Sequence, residues 1–139
     1  MAVSRGIRNN NPGNIDYNPA NNWQGQLPRD KSTEPRFCRF DTPENGIRAL
    51  GKLLQTYQRK YGLKTVKAII NRWAPSIENN TDAYVKSVET YTKTERGAEI
   101  DLRRHETLKG MVKAIIRHEN SNYEYPDSVL DEGVRRALA

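Results

Sequence analysis

Cysteine is almost missing from this chain: among 139 residues only Cys38 carries a thiol, and only His105 and His118 carry an imidazole. One cysteine cannot form an internal bridge, and these three side chains cannot complete a four-ligand Cys/His cage. A disulfide framework and a structural zinc site are therefore excluded. A chain of this length needs neither, because one domain of its size buries roughly 70% of its unfolded surface. Long apolar runs are missing too. Nothing approaches the roughly 20 apolar residues of a membrane span, and the densest points are Ile69-Ile70 and Ile115-Ile116. Met1 to Arg8 has charge with no apolar core behind it. That start is not read as a secretory signal, so synthesis and folding in a bacterial host cytoplasm are expected, with another route to any site of action outside. There is no phosphate-cradling Gly-Lys-Ser/Thr loop, and Ser4, Ser32, Ser76 and Ser87 lack nucleophile-elbow glycines. Asp16, Asp30, Glu34, Asp41 and Glu44 lack calcium-loop spacing. No metal and no cofactor is expected.

Positive charge is abundant. Lys+Arg number 23 against 17 Asp+Glu, a net +6 with a pI near 9.5, which favours polyanions: nucleic acid, anionic lipid or a bacterial wall bearing carboxylates. Lys52, Arg59, Lys60, Lys64, Lys67 and Arg72 are spread among neutral residues on polar helix faces and read as solvated faces. No helix-turn-helix spacing accompanies them, so nucleic acid is disfavoured.

Residues 1–41 differ in kind from the rest. They hold Asn9, Asn10, Asn11, Asn14, Asn18, Asn21 and Asn22 with several Gly and Pro, the composition of turns. Ile7, Ile15, Tyr17, Trp23, Leu27, Phe37 and Phe40 are too many apolar anchors for a disordered arm. The expectation is one domain, 1–139, with an ordered irregular lobe over 1–41, a short strand at Phe37–Phe40, and a helical body over 42–139. Thr42-Pro43-Glu44 opens a first helix that Gly62 closes. A second runs from Thr65 to Pro75, a third follows Asn80-Thr81, a fourth spans about Arg104 to His118, and a fifth follows Tyr125-Pro126-Asp127. The fold class is thus mainly α, with five helices and a loop-rich lobe.

Glu119 stands out chemically. It lies four residues after Ile115, three after Ile116 and seven after Val112, continuing a buried stripe at the carboxy-terminal end of its helix. The helix dipole and the apolar surroundings both disfavour its charge there and should raise its proton affinity, as a general acid for glycosidic cleavage requires. The bland alternative is a frayed end with Glu119 in water or paired with Arg117. Asn10, Asn11, Asn14 and Asn22 beside Tyr17 and Trp23 offer the amides and rings that sugars complement, though turn-forming Asn and core aromatics explain them more readily. Cys38 between Phe37 and Phe40 reads as a small core residue more readily than as a nucleophile served by His105 or His118.

Four stretches carry a resemblance: Arg5-Gly-Ile-Arg-Asn-Asn-Asn-Pro-Gly-Asn-Ile15, the Arg36-to-Arg48 block, Arg72-Trp-Ala-Pro75 with Glu78 to Tyr84, and Ala114-Ile-Ile-Arg-His-Glu-Asn120. On these the chain resembles phage and prophage virion or structural proteins of the lysozyme-like superfamily. Glucosaminidase-type members place the Glu-bearing helix before the Asn-Asn-Pro-Gly turn. Here that helix comes last, so the resemblance implies a circularly permuted lysozyme-like α+β domain. It further implies a muramidase or lytic transglycosylase acting on peptidoglycan, with Glu119 as general acid and Glu34 as second choice. Asn10, Asn11, Asn14, Tyr17, Tyr84, Asn120 and Tyr125 would bind the sugars. The alternatives are a non-catalytic virion or baseplate component that grips glycan or other virion subunits, and a nucleic-acid-binding protein. Action is expected in the periplasm and wall, or from within the virion.

Overall fold

The computed structural model describes residues 3–74 and 81–139. Six helices follow one another among them: α1 (Arg5–Arg8), α2 (Pro43–Tyr61), α3 (Val66–Trp73), α4 (Thr81–Thr92), α5 (His105–Glu119) and α6 (Asp127–Leu138). The expected stop at Pro75 and the motif residues 78–80 lie outside the described residues. No described helix is long and apolar enough to cross a membrane.

Local signals set the ends of α2 and α3. The Thr42 hydroxyl accepts from the Asn45 N–H, Pro43 occupies the first turn, and Gly62 ends α2 at φ 64°, a left-handed conformation that favours glycine. Thr65 caps α3 in the same way through the Ala68 N–H. The body's core is the meeting of the apolar stripes, including Ile47, Leu50, Leu54, Ile69, Ile70, Val88, Met111, Ile115 and Val134. α2 and α6 approach closely because Gly133 has no side chain: a Cβ there would stand 2.5 Å from the Ile47 Cβ.

The lobe packs on this body through Ile15, Cys38 and Phe40 against Ala49 of α2, with Tyr17, Trp23 and Leu53 alongside. Two expectations are corrected. The lobe contains the one-turn helix α1, making six helices rather than five; a single turn is too short to show a hydrophobic period. The expected strand at Phe37–Phe40 reduces to isolated antiparallel bridges, Asp16 with Phe37 and Gln26 with Phe40. Single backbone bonds remain there, such as the Cys38 N–H to the Ile15 carbonyl at 3.0 Å, and the Asn11 side chain adds to them: its Nδ2 donates to the carbonyls of Ile15 (3.0 Å) and Cys38 (2.9 Å), and its Oδ1 accepts from the Ile15 N–H at 3.0 Å.

Candidate active site

The junction of lobe and body forms a groove of about 530 Å³. One wall comes from the lobe, with Asn14, Asp16, Asn18, Asn21, Trp23, Arg36 and Phe37; the other comes from the body, with Leu53 and Tyr57 of α2, Trp73 and Ala74 at the end of α3, and Glu119 at the end of α5. Glu119 is half-buried. Burial pushes its carboxyl up, while nearby His118 and the Asn14 side chain pull the other way. The left-handed turn at Asn14 (φ 49°) brings it there, and Gly6 leaves room beneath: a Cβ on Gly6 would meet the Asn14 Oδ1 at 3.0 Å and the Asn120 Oδ1 at 2.5 Å. Arg117 pairs with Glu124 at 3.1 Å.

No family model matches the sequence. It is 36% identical over 131 residues to Protein P5 of Pseudoalteromonas phage PM2, an alignment covering 94% of this chain and 80% of that protein. The chain belongs to the family of Protein P5. That relationship to a phage protein supports a phage origin.

In this P5-family chain the remaining expected site residues divide sharply. Tyr84, 1% exposed, stacks on the His118 ring with centroids 3.7 Å apart and stands beside Glu119 and Trp73. Burial first, and then the Glu119 charge, push its phenol far up, so it keeps its proton. Tyr17 lines a neighbouring hollow of about 380 Å³ that shares Asn21 with the groove, and the Arg29 guanidinium covers its ring at 4.2 Å. Neither the Tyr84 nor the Tyr17 ring lines the groove itself, Tyr84 because it is buried in the body, and the expected sugar ligands Asn10, Asn11, Asn120 and Tyr125 do not line it either. Asn10 donates to the Phe40 carbonyl at 3.2 Å, and buried Asn11 serves the lobe backbone. Asn120 donates to the Pro12 and Ile116 carbonyls at 2.8 and 2.9 Å and accepts from Ser4. It thus ties the end of α5 to the Asn-Pro-Gly turn and positions Glu119 indirectly. Tyr125 packs edge-on to Tyr123 at 5.0 Å and lines a small separate hollow with Leu130.

Glu34 does not fit the acid's role. Its buried carboxylate receives Arg5 through two contacts of 2.7 and 2.6 Å, Asn9 at 3.0 Å, and the N–H groups of Arg36 and Phe37 at 2.8 Å. Arg5 above all, joined by those backbone donors and Asn9, outweighs burial and holds the carboxyl well below the usual carboxylate range, leaving no proton to donate at neutral pH. The Cys38 nucleophile fails on geometry: the thiol is 3% exposed, burial pushes it up, and His105 pairs with Asp131 at 3.1 Å.

Sequence reasoning passed over Asp16, Tyr57 and Trp73 as groove residues. The two aromatics fall on apolar helix stripes and so read as core, whereas each sits half-buried at the stripe's edge. Asp16 carried no local signal. Among the described residues it is the groove's other carboxylate, exposed and paired with Arg36 at 2.8 Å.

Proposed function

We propose that this protein is a peptidoglycan-degrading glycosidase of muramidase or lytic transglycosylase type, with Glu119 as its general acid. The observation that carries the reading is a half-buried carboxyl, shifted toward its protonated form, on the wall of a groove whose opposite wall offers amides and aromatic rings. Protonated Glu119 donates its proton to the glycosidic oxygen as the bond to the anomeric carbon breaks, and the groove stabilises the oxocarbenium-like transition state. Asn14 orients the acid. Asn18 and Asn21 suit hydroxyl and acetamido groups, and Trp23 and Trp73 suit the apolar faces of sugar rings. The meeting of the Asn-Pro-Gly turn with the end of α5 is the juxtaposition a permuted lysozyme-like domain requires, and the phage relationship suits action on the wall or carriage in the virion.

Glu119→Gln keeps the shape of a protonated carboxyl and cannot deliver a proton. Turbidity loss of outer-membrane-permeabilised cells should fall by at least ~100-fold, the scale for losing a positioned acid, while thermal stability holds or rises. Mass spectrometry of the released muropeptides distinguishes water attack from closure of an anhydro ring. Retained activity in the variant removes Glu119 from the mechanism, and a wild type that binds sacculi without cutting them leaves the non-catalytic virion component as the function.

A further inference from the structure

From position 45 to 77 the chain carries seven basic residues and no carboxylate, so α2 beyond its first turn and the whole of α3 have no acidic partner of their own. Most of these cations stand alone in water and need no explanation beyond solubility. Arg72 is different. Its guanidinium lies 3.6 Å from the centroid of the Tyr61 ring and 5.4 Å from that of Tyr57, and the Lys60 ammonium stands 5.5 Å from Tyr61. The two rings are themselves 6.4 Å apart. Tyr61 is 44% exposed, a large ring left in water between two cations. Among the described residues neither Arg72 nor Lys60 has an ion-pair partner.

This cluster adjoins the groove. Tyr57, on which Arg72 rests, lines it, and so does Trp73, the next residue in the chain. A guanidinium seated on a ring loses much of its freedom while its edge N–H groups stay available, which suits it to grip a planar carboxylate.

We infer that Arg72 and Lys60, mounted on Tyr61 beside Tyr57, form an anion subsite that continues the groove and takes the carboxylates borne by the peptides of a peptidoglycan strand. The inference rests on the glycan reading above and gives it a specificity: charged, peptide-bearing glycan is selected over neutral glycan. Other polyanions share the attraction to positive charge. Continuity with the groove favours a strand that runs through it and presents carboxylates at its edge.

The test uses the full chain and two preparations of one material: native sacculi, and sacculi whose carboxylates have been converted to methylamides. Wild type should bind native sacculi more tightly than the amidated ones, with affinity falling as salt rises. Arg72→Gln/Lys60→Gln should weaken binding to native sacculi about tenfold, the scale for removing charge-assisted hydrogen bonds, and should bind amidated sacculi as wild type does. Because both side chains are exposed, melting should be unchanged; Arg72→Lys, which keeps charge and loses the fork, gives an intermediate affinity and serves if the double variant is unstable. Equal affinity of variant and wild type for native sacculi overturns the inference, as does wild-type binding that ignores amidation. A loss of affinity for duplex DNA or phosphatidylglycerol vesicles with binding to sacculi unchanged also overturns it and gives the cations to that polyanion. Cleavage is read separately: a wild type that cuts nothing defeats the glycosidase reading, while charge-dependent binding by the same protein still supports the subsite.

Discussion

The lobe and the helical body meet at one groove but are held together by different chemistry. The body is an apolar assembly in which Ile47, Leu50, Leu54, Ile69, Met111 and Ile115 are wholly buried and each helix satisfies its own backbone. The lobe fully buries few of its apolar side chains and has little regular structure, so buried Asn9, Asn11 and Glu34 supplement its scattered backbone hydrogen bonds. The body should therefore fail when volume is disturbed, and the lobe when a polar group is removed.

Asn11→Ala tests the lobe most severely. Asn11 is 0% exposed and serves three backbone groups; stranding them should cost about 4 kcal/mol, read by urea or thermal unfolding. A cost below about 1 kcal/mol, the level of an ordinary surface change, would erase the distinction between the two regions. Gly133→Ala is the counterpart in the body. It places a methyl 2.5 Å from the Ile47 Cβ and Cγ2 and should destabilise by about 2–3 kcal/mol through overpacking, with partial recovery when Ile47→Ala is added.

Glu34→Gln sharpens the contrast through pH and has the smallest expected effect, about 2 kcal/mol near neutrality from the weakened Arg5 and backbone contacts. The folded Glu34 carboxyl lies below its ordinary value of 4.5. Its contribution is therefore complete above that value and is lost as pH falls below it. The gap between wild type and variant should be flat from neutrality to about pH 5 and shrink below pH 4.5. Glu119 has the opposite sign: its folded carboxyl is raised, so the folded state binds its proton more tightly, and stability drops as pH rises from the ordinary value through the raised one. Chemical denaturation across pH, run on wild type, Glu34→Gln and Glu119→Gln, separates the two carboxylates. A wild-type to Glu34→Gln gap that widens toward acid pH would contradict the ion pair.

The body was legible because helices write their period into sequence. Thr42, Pro43 and Gly62 mark α2 from end to end, and the stripe through Leu108, Met111, Val112 and Ile115 marks α5 and leads straight to Glu119. The lobe was legible only as ordered and irregular. Asn residues that looked alike in sequence do different work: Asn14 faces the groove, while Asn10, Asn11 and Asn120 hold the backbone. An amide can donate and accept in either setting, so residue type does not distinguish them.

Sequence by itself determined the helical body, the anchoring of the lobe, and a carboxylate misplaced at the end of an apolar stripe, since each is encoded within a few turns of chain. Tertiary structure alone decided which groups surround each carboxyl, holding Glu34 below its ordinary value and pushing Glu119 above it. Arg5, 29 residues from Glu34, fixes one as an anion. The turn at Asn14, more than a hundred residues from Glu119, encloses the other against the body. Proton affinity follows from what surrounds a group in space, and for these two glutamates the surroundings come from distant parts of the chain.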